Sequence, residues 1–455
     1  MRNRHALALT LATAATMAAV PATLPAAAAT PANSPYVADS PYVADSPYVA
    51  KSPKSAAAKA RCPQLSKKLT WFGDNRARLQ RMIDERGRCG SHRGHDQKRP
   101  VAAFDWDNTV VKNDITDATI AWALHHDKIL RPASWKSTSK WMTDEADKAL
   151  TRACGTEVPV GKPLPTSTDT DCADEIFEVR EDGKTMSGAA AFAGEWNHRH
   201  TVPQYAWVPQ LFAGHTVPEL ESYAAKARKQ VLAAPVGATQ TVGTHEIPGY
   251  ARYYDQQRDL IRTLKRAGFD VYIVSAGSEP VTEVWAGGKG GVGIDRKHTI
   301  AIRSVLDHKG RITPWNQGCG NVPVNQGEAI PYIDGKRCWI NQEIFGVEGK
   351  SAWDKQDRAH RIALGGGDAD TDVTFVGDAT GAHLVLNREK NEFMCRAYDN
   401  ADGRWVVNPM FIEPMQQKPD LYPCSTAAYN APDGSKGPVL REDGSVVPDQ
   451  EDAVY

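Results

Sequence analysis

The sequence has almost no net charge and no long apolar run beyond its N-terminus. It has 54 Lys and Arg residues against 55 Asp and Glu residues, so its formal net charge is −1. No basic stripe is evident, and the composition therefore gives no reason to propose nucleic-acid binding. No later apolar run is long enough to cross a bilayer. A soluble composition over 455 residues predicts one large domain with insertions, or two domains.

The first 29 residues are typical of an export signal. Arg2 and Arg4 precede an almost entirely small or apolar stretch, Ala6–Val20, and Ala27–Ala29 offers a small-residue cleavage site. A transmembrane anchor is the alternative, but the stretch is short and rich in alanine. We therefore expect a secreted, extracellular protein.

The sequence also lacks the CxxC and CxxH spacings of a zinc site. Its eight cysteines are an even number, which in an exported chain predicts disulfides. They form four close pairs along the chain, and sequential pairing is the simplest connectivity. These pairs are Cys62–Cys89, Cys154–Cys172, Cys319–Cys338 and Cys395–Cys424.

Composition divides the chain into five segments. Residues 30–61 contain the sequence SPYVAD beginning at Ser34 and again at Ser40, followed by the variant SPYVAK beginning at Ser46. This low-complexity segment predicts an extended linker or a spacer near the cell wall. An adhesive or partner-binding repeat is the alternative. The remaining predicted boundaries are a core over 62–112 and 250–425, an inserted cap over 113–249, and an irregular tail over 426–455.

Three short apolar runs predict buried parallel strands at 101–104, 271–274 and 361–364. Helical spacing precedes the first run over Leu69–Glu85 and the second over about 250–267. Strands that alternate with helices predict an α/β fold with a doubly wound parallel sheet.

The strongest chemical signal follows the first strand, in the motif Phe104-Asp105-Trp106-Asp107-Asn108-Thr109. Ligands of such sheets bind beyond the carboxyl ends of the strands. Two carboxylates two residues apart in a loop can converge on one site, where one binds metal and attacks and the other transfers protons. A solvated acidic turn is the alternative.

This motif resembles DxDx(T/V), the first motif of the haloacid dehalogenase superfamily. The resemblance implies a Rossmann-like core with a cap and a phosphatase activity through an aspartyl-phosphate, because dehalogenases of the superfamily lack the second acid. It implies that Asp105 is the nucleophile, that Asp107 is the acid and base, and that Thr109 contacts the phosphate. The second motif matches at Ser275 with Gly277, where the hydroxyl and backbone N–H groups would bind phosphate.

The third motif of the superfamily is a lysine, for which Lys350 is our candidate and Lys355 its competitor. The fourth motif, GDxxxD, matches at Gly367-Asp368-Ala369-Asp370-Thr371-Asp372. A second GD pair at Asp378 lacks an acid four residues later and ranks lower.

Four aspartates are the predicted ligands of a Mg²⁺ cofactor, which prefers oxygen ligands. Asp105 and Asp368 would bind it through carboxylates and Asp107 through its backbone carbonyl, whereas Asp372 would act through water or by holding the groups that bind the ion. Phosphoryl transfer depends mainly on positioning and charge neutralisation, which the cofactor and the lysine would supply.

Two further patterns are interpreted as incidental. Gly288–Gly293 fits GxGxxG but follows a helix and leads toward a strand, the reverse of a dinucleotide site, and is predicted to be a turn. His198 and His200 lie on a polar stretch and are predicted not to bind the metal.

The chain is also similar to secreted bacterial phosphorylcholine phosphatases over roughly residues 62–395. The shared features are DxDNT, the stretch 211–216 and the stretch 383–388. The resemblance implies a small phosphomonoester as the partner of the site. Trp196, Tyr205 and Trp207 of the cap are candidate contacts for a choline head group, since aromatic rings attract quaternary ammonium; packing within the cap is the alternative.

Two other functions remain open at this point. One is a phosphatase of broad specificity, which acts on phosphoethanolamine or other small esters. The other is a secreted binding protein without activity on the same fold.

Overall fold

The computed structural model of the protein describes residues 61–89 and 98–455. The predicted signal segment and all but the last residue of the predicted linker lie outside the described residues. Within the described part of the chain, no helix is long and apolar enough to span a membrane.

A parallel sheet of six strands forms the centre of the fold. The strands are β1 (Val101–Phe104), β2 (Asp270–Ser278), β3 (Thr299–Ile302), β4 (Leu364–Gly367), β5 (Ala382–Asn387) and β6 (Trp405–Pro409). Their order across the sheet is β6-β5-β4-β1-β2-β3. β1 therefore lies between β2 and β4, with Phe104 opposite Ile273 on one side and Gly366 on the other.

Eleven α-helices are present in the described residues. They are α1 (Asn75–Arg86), α2 (Ile115–His125), α3 (Asp144–Cys154), α4 (Thr170–Glu181), α5 (Pro203–Trp207), α6 (Val217–Ala233), α7 (Asp255–Arg266), α8 (Glu279–Gly287), α9 (Asp334–Phe345), α10 (Val373–Gly377) and α11 (Asn391–Asp399). Four short antiparallel pairs lie outside the main sheet: 111–112 with 252–253, 239–242 with 245–248, 304–306 with 312–316, and 429–430 with 436–437.

Both faces of the sheet are buried. Along β1, Ala102 and Phe104 pack in one hydrophobic cluster, while Val101 and Ala103 pack in a second cluster on the other face. Alternate residues of a strand point to opposite faces, so a four-residue apolar run is what a strand covered on both sides requires. The predicted doubly wound α/β fold is confirmed.

Two predicted boundaries differ from the structure. The helix expected from Leu69 begins at Asn75, after a turn in which Gly73 has φ 51° and Phe72 is exposed. The strand expected over 361–364 begins at Leu364 and continues through three glycines. Glycine weakens a strand by propensity, but Gly366 accommodates the Phe104 ring, since a Cβ there would lie 2.6 Å from that ring.

The segment that we predict to be a cap contains α2 to α6 and the hairpin 239–248. It lies between two short strands, 111–112 and 252–253. These strands hydrogen-bond to each other and bring the two ends of the insertion together. All described residues belong to one compact unit, Lys59–Tyr455.

The eight cysteines form four disulfides in the predicted sequential pairs. The Cα atoms of each pair lie 4.4–6.2 Å apart, and no cysteine is free. One disulfide, Cys395–Cys424, links α11 to the segment that precedes the predicted tail. The tail has little regular structure but packs on the core, where Asp452 accepts a hydrogen bond from Asn387 at 2.8 Å. Four disulfides are typical of a protein that folds in an oxidising environment.

Candidate active site

The carboxyl edge of the sheet brings three predicted motifs together. β1 ends before Asp105, Ser275 lies near the end of β2, and Asp368 follows β4 directly. Because these strands are neighbours and parallel, the loops beyond them meet at one place. The backbone N–H of Asp105 donates to the carbonyl of Gly366 at 2.9 Å, which fixes the start of the first loop against β4.

The loop after β1 turns at Asn108, which has φ 59°. Asparagine tolerates the left-handed region better than most residues. Its side chain also accepts a hydrogen bond from the N–H of Asn113 at 3.0 Å, and Val110 donates to the carbonyl of Trp106 at 2.8 Å. The turn therefore returns the chain toward the site and explains why asparagine stands in this motif.

Three buried carboxylates form a cluster in this place. Asp105, Asp368 and Asp372 each offer an oxygen within 4.8 Å of the others. Asp372 folds back over β4, where its Oδ2 accepts from the N–H groups of Asp368 and Ala369 at 3.0 and 3.1 Å. Gly367 permits this approach, because a Cβ there would lie 2.5 Å from the Cβ of Asp372.

The lysine of this cluster is Lys336, which the sequence analysis missed. Its Nζ lies 2.6 Å from Oδ1 of Asp105 and 2.6 Å from Oδ1 of Asp372, and the side chain is 0% exposed. Lys350, our candidate, is exposed in a short 3-10 helix, and Lys355 pairs with Glu442. The structure therefore places a different lysine beside the predicted nucleophile.

Helix α9 carries Lys336 into the site from its first turn. The helix is preceded by Ile333, which has φ 49°, a rare conformation for a β-branched residue, and whose N–H donates to Thr371 at 2.9 Å. A sequence signal existed, because Lys336 stands three and four residues before Trp339 and Ile340, on the buried side of a helix.

Burial and mutual repulsion dominate the electrostatics of the cluster. Burial raises the pKa of Asp105 well above its usual value, and Asp372 adds to this shift while Lys336 opposes it. Burial also raises the pKa of Asp368. Burial lowers the pKa of Lys336, but Asp105 and Asp372 raise it by more, so the ammonium form is favoured. The cluster thus holds more negative charge than Lys336 alone compensates.

The donor set of this cluster fits a divalent cation that prefers oxygen. Asp105, Asp368 and Asp372 supply only carboxylate oxygens, and the raised pKa values of Asp105 and Asp368 indicate that further positive charge would stabilise their ionised forms. Oxygen ligands are those that Mg²⁺ takes in proteins.

Two further side chains hold Asp368. The hydroxyl of Thr109 donates to its Oδ1 at 2.6 Å, and Nη1 of Arg388 donates to its Oδ2 at 2.8 Å. The only hydroxyl proton of Thr109 is therefore used by a carboxylate, which makes Thr109 a positioning residue for Asp368 in this structure. Arg388 follows β5 directly and was not among the predicted site residues.

Ser275 and Gly277 lie in a pocket of hydroxyl groups. The N–H of Gly277 donates to Oγ of Ser275 at 3.0 Å. A Cβ on Gly277 would lie 2.6 Å from Oγ1 of Thr116, a buried hydroxyl that has no hydrogen-bond partner among the described residues. Thr116 comes from the first turn of α2 and was also missed, since a hydroxyl in a helix carries no recognisable signal.

Asp107 sits at the N-terminus of α2. Its Oδ1 accepts from the N–H of Ile115 at 2.8 Å. Burial raises the pKa of Asp107 well above its usual value, and the carboxylates of Asp114 and Asp105 add to this shift. A carboxyl group with a raised pKa is suited to donating a proton to a leaving group.

The cap contributes a buried ion pair to the same region. Nη2 of Arg180 in α4 lies 2.6 Å from Oδ1 of Asp117 in α2, and its guanidinium stacks 5.3 Å from the ring centre of Tyr205. Burial raises the pKa of Asp117 to about 8, which Arg180 opposes. Asp117 is in turn close enough to raise the pKa of Asp107. This ion pair therefore lies near Asp107, the predicted acid and base.

The three predicted head-group rings have different surroundings. Tyr205 is close to Asp114, Asp117 and Arg180. Trp207 is fully buried, and its Nε1 donates to Thr138 at 2.8 Å, so it packs within the cap. Trp196 is half-buried and stacks edge-on against Trp141.

The lower-ranked candidates lie elsewhere. Asp378 pairs with Arg337 at 2.6 Å, and both line a separate cavity of about 880 Å³ that contains none of the three clustered carboxylates. His200 stacks on Trp353 with ring centres 3.9 Å apart, and His198 packs against Trp196. Neither histidine belongs to the carboxylate cluster.

A parallel sheet that carries an aspartate after β1, a buried lysine and two further carboxylates at its carboxyl edge is the arrangement expected of the haloacid dehalogenase superfamily, which the chain resembles. Sequence comparison confirms this resemblance: a phosphorylcholine phosphatase of Pseudomonas aeruginosa is 27% identical over 200 residues. The match covers 41% of this chain and 55% of that protein, so the chain spans about half the length of this curated relative. No protein-family model matches the chain.

Two solved structures are also similar. A conserved protein of unknown function from Anaerococcus prevotii has a TM-score of 0.46 and 16% identity, covering 76% of this chain and 94% of that one. A substrate-bound phosphoserine phosphatase has a TM-score of 0.28 and 14% identity, covering 64% and 87%.

Proposed function

We propose that the protein is a secreted, Mg²⁺-dependent phosphomonoester hydrolase that acts through an aspartyl-phosphate on Asp105. The observation that carries the proposal is the contact of Lys336 with both Asp105 and Asp372 beside Asp368. A lysine buried among carboxylates neutralises charge where a phosphate would add more, and phosphoryl transfer depends on such neutralisation. The four disulfides support an exported protein.

The reaction divides between two aspartates. A carboxylate oxygen of Asp105 attacks phosphorus while the bond to the ester oxygen breaks, and Asp107 gives its proton to the leaving oxygen. Asp107 then takes a proton from water, whose oxygen attacks the same phosphorus. Phosphate leaves, and Asp105 is restored. Ser275 and Thr116 would offer hydroxyl groups to the phosphate oxygens.

Asp105 and Asp368 would hold the Mg²⁺, together with the backbone carbonyl of Asp107. The bound cation would supply further charge neutralisation for the phosphate. Thr109 and Arg388 orient Asp368 through its two oxygens, and Asp372 holds Lys336 and the loop after β4 in place.

Hydrolysis of p-nitrophenyl phosphate tests the proposal directly. We expect the purified protein to release p-nitrophenol with added Mg²⁺ and to lose this activity in EDTA, with recovery when excess Mg²⁺ is returned. Phosphate release measured in parallel controls for interference with the chromophore. A folded protein that releases neither product under any metal condition would favour the alternative of a binding protein without activity.

Asp368→Asn is expected to raise the Mg²⁺ concentration for half-maximal activity by at least about tenfold, because it removes a charged oxygen ligand. Asp378→Asn is the matched control, since its carboxylate pairs with Arg337 outside the cluster. Titration of Mg²⁺ against initial rate measures both. If Asp378→Asn shifts the requirement and Asp368→Asn does not, the assignment of the fourth motif is wrong.

Phosphocholine is the substrate that we propose first, and phosphoethanolamine second. Support comes from the similarity to a phosphorylcholine phosphatase and from the carboxylates of Asp114 and Asp117 near Asp107, which suit a cationic head group. Both carboxylates interact electrostatically with Tyr205, whose ring already stacks with one cation, Arg180. A phosphatase of broad specificity remains the second candidate, because Arg180 neutralises part of this acidic surface.

Replacing Tyr205 tests the head-group proposal. Tyr205→Leu removes the ring, and Tyr205→Phe keeps it as a control. A cation–π contact is worth up to about 2 kcal/mol when desolvated, so we expect Tyr205→Leu to raise KM for phosphocholine by up to roughly 30-fold more than KM for p-nitrophenyl phosphate. Equal changes for both substrates would show that the ring only packs the cap, and the broad specificity would then be preferred.

A further inference from the structure

Helix α7 presents a row of cations that the linear sequence did not reveal. Arg258, Arg262 and Arg266 stand at intervals of four residues, and Lys265 lies beside the last of them. The opposite face of α7 is buried through Leu260, Ile261 and Leu264. Residues four apart lie on the same side of a helix, so the cations share the outer face over about 12 Å.

These four cations line a cavity together with the glycine-rich turn. Its volume is about 430 Å³, and its other lining residues are Gly291 and Val292. Arg258 donates to the carbonyl of Gly290, and Lys265 donates to that of Gly293. The turn packs closely against the end of α8, since a Cβ on Gly291 would lie 2.6–2.9 Å from three backbone carbonyls. The GxGxxG pattern therefore builds one wall of a cationic groove.

No carboxylate lines this groove. In the described residues, none of Arg258, Arg262, Lys265 and Arg266 has a carboxylate within 4.0 Å, whereas arginines elsewhere in the fold such as Arg180, Arg199 and Arg337 are paired. Like charges four residues apart disfavour a helix. The arginines of this row therefore repel one another, and a bound anion would reduce that repulsion.

We propose that this groove binds a linear polyanion built of repeated phosphate groups. The row of three arginines at about 6 Å intervals matches an extended anion rather than a single ion. Guanidinium groups also present paired N–H donors that suit phosphate oxygens. No aromatic side chain lines the groove, so it offers no stacking platform for the bases of single-stranded nucleic acid.

The groove is separate from the carboxylate cluster. Only three residues separate the end of α7 from the start of β2, so Arg266 lies near the amino edge of the sheet. The carboxylates lie beyond the opposite, carboxyl edge. The proposal therefore does not rest on the proposed phosphatase activity, and occupation of the groove would hold the protein on a phosphate-rich polymer while the active site stays open.

Binding of fluorescently labelled linear polyphosphate to the full protein tests the proposal. We compare the wild type with Arg262→Gln/Arg266→Gln and with Arg76→Gln/Arg81→Gln, a control pair on α1 with the same change of charge. We expect the groove variant, Arg262→Gln/Arg266→Gln, to bind at least about tenfold more weakly. Between about 50 and 200 mM salt, the slope of its log affinity against log salt concentration should be smaller in magnitude by about two. The control variant should bind as the wild type does.

Three outcomes would overturn the proposal. The first is an equal loss of polyphosphate affinity in the groove and control variants, and the second is no loss of affinity in the groove variant. The third is binding of polyglutamate or of a DNA oligomer to the groove as tightly as polyphosphate binds. Hydrolysis of p-nitrophenyl phosphate, measured on the same samples, should be unchanged in both variants. A protein that binds polyphosphate through the groove but lacks hydrolysis would refute the proposed function alone.

Discussion

Asp105→Asn is expected to reduce turnover on the order of 10⁴-fold or more, because an amide cannot attack phosphorus and the covalent route is lost. The substitution keeps the shape of the side chain, and Lys336 keeps its second partner, Asp372, at 2.6 Å. We therefore expect the far-ultraviolet circular dichroism and the cooperative thermal transition to be retained. Initial rates with p-nitrophenyl phosphate measure the loss.

The covalent step gives this prediction an independent measurement. Acid-quenched wild-type protein should carry one phosphoryl group by intact mass, and Asp105→Asn should carry none. BeF₃⁻ should inhibit the wild type, since it mimics an aspartyl-phosphate. Appreciable turnover by Asp105→Asn, or a phosphoryl group on another residue, would contradict the assignment of the nucleophile.

Lys336→Gln is expected to have the second largest effect, a loss of about 10²–10³ in kcat, because it removes a preorganised charge beside the reacting phosphate. Lys350→Gln is the matched control, since that side chain is exposed and an exposed substitution rarely changes stability or activity much. Steady-state rates at saturating Mg²⁺ compare the two.

Stability must be measured together with activity for this pair. Lys336 is completely buried between two carboxylates, and removing one partner of a buried ion pair costs about 3–5 kcal/mol. Lys336→Gln should therefore also lower Tm, whereas Lys350→Gln should not. Lys336→Arg keeps the charge and gives a folded alternative if the glutamine variant does not fold. Full activity in both Lys336 variants would exclude this lysine from the reaction.

Thr109 and Trp207 show that a motif match or the residue type alone was insufficient to predict the role of a side chain. Thr109 matches the first motif, but its partner is Asp368, which lies 259 residues later in the chain. Trp207 stands two residues from Tyr205, yet Trp207 is fully buried while Tyr205 stacks with Arg180. Neither outcome follows from local spacing, because both depend on which elements pack against these side chains.

The sequence by itself determined the features that are local or that depend on chain order. β1 was predicted at its observed bounds, since a four-residue apolar run between polar segments has few alternatives in a parallel sheet. The carboxylates Asp105, Asp368 and Asp372 were predicted together because they match the first and fourth motifs of the haloacid dehalogenase superfamily, and each motif follows a strand. The disulfide pairs were predicted because close cysteines in a chain are those that meet most readily.

Only the tertiary structure decided which cations serve the site and which serve the surface. Lys336 reaches Asp105 because Ile333, directly before α9, donates a hydrogen bond to the loop after β4, and Arg388 reaches Asp368 because β5 lies beside β4. The row on α7 became a groove only when the glycine turn packed against it. A cationic side chain is long and common on surfaces, so its role is set by the packing of distant elements rather than by its neighbours in sequence.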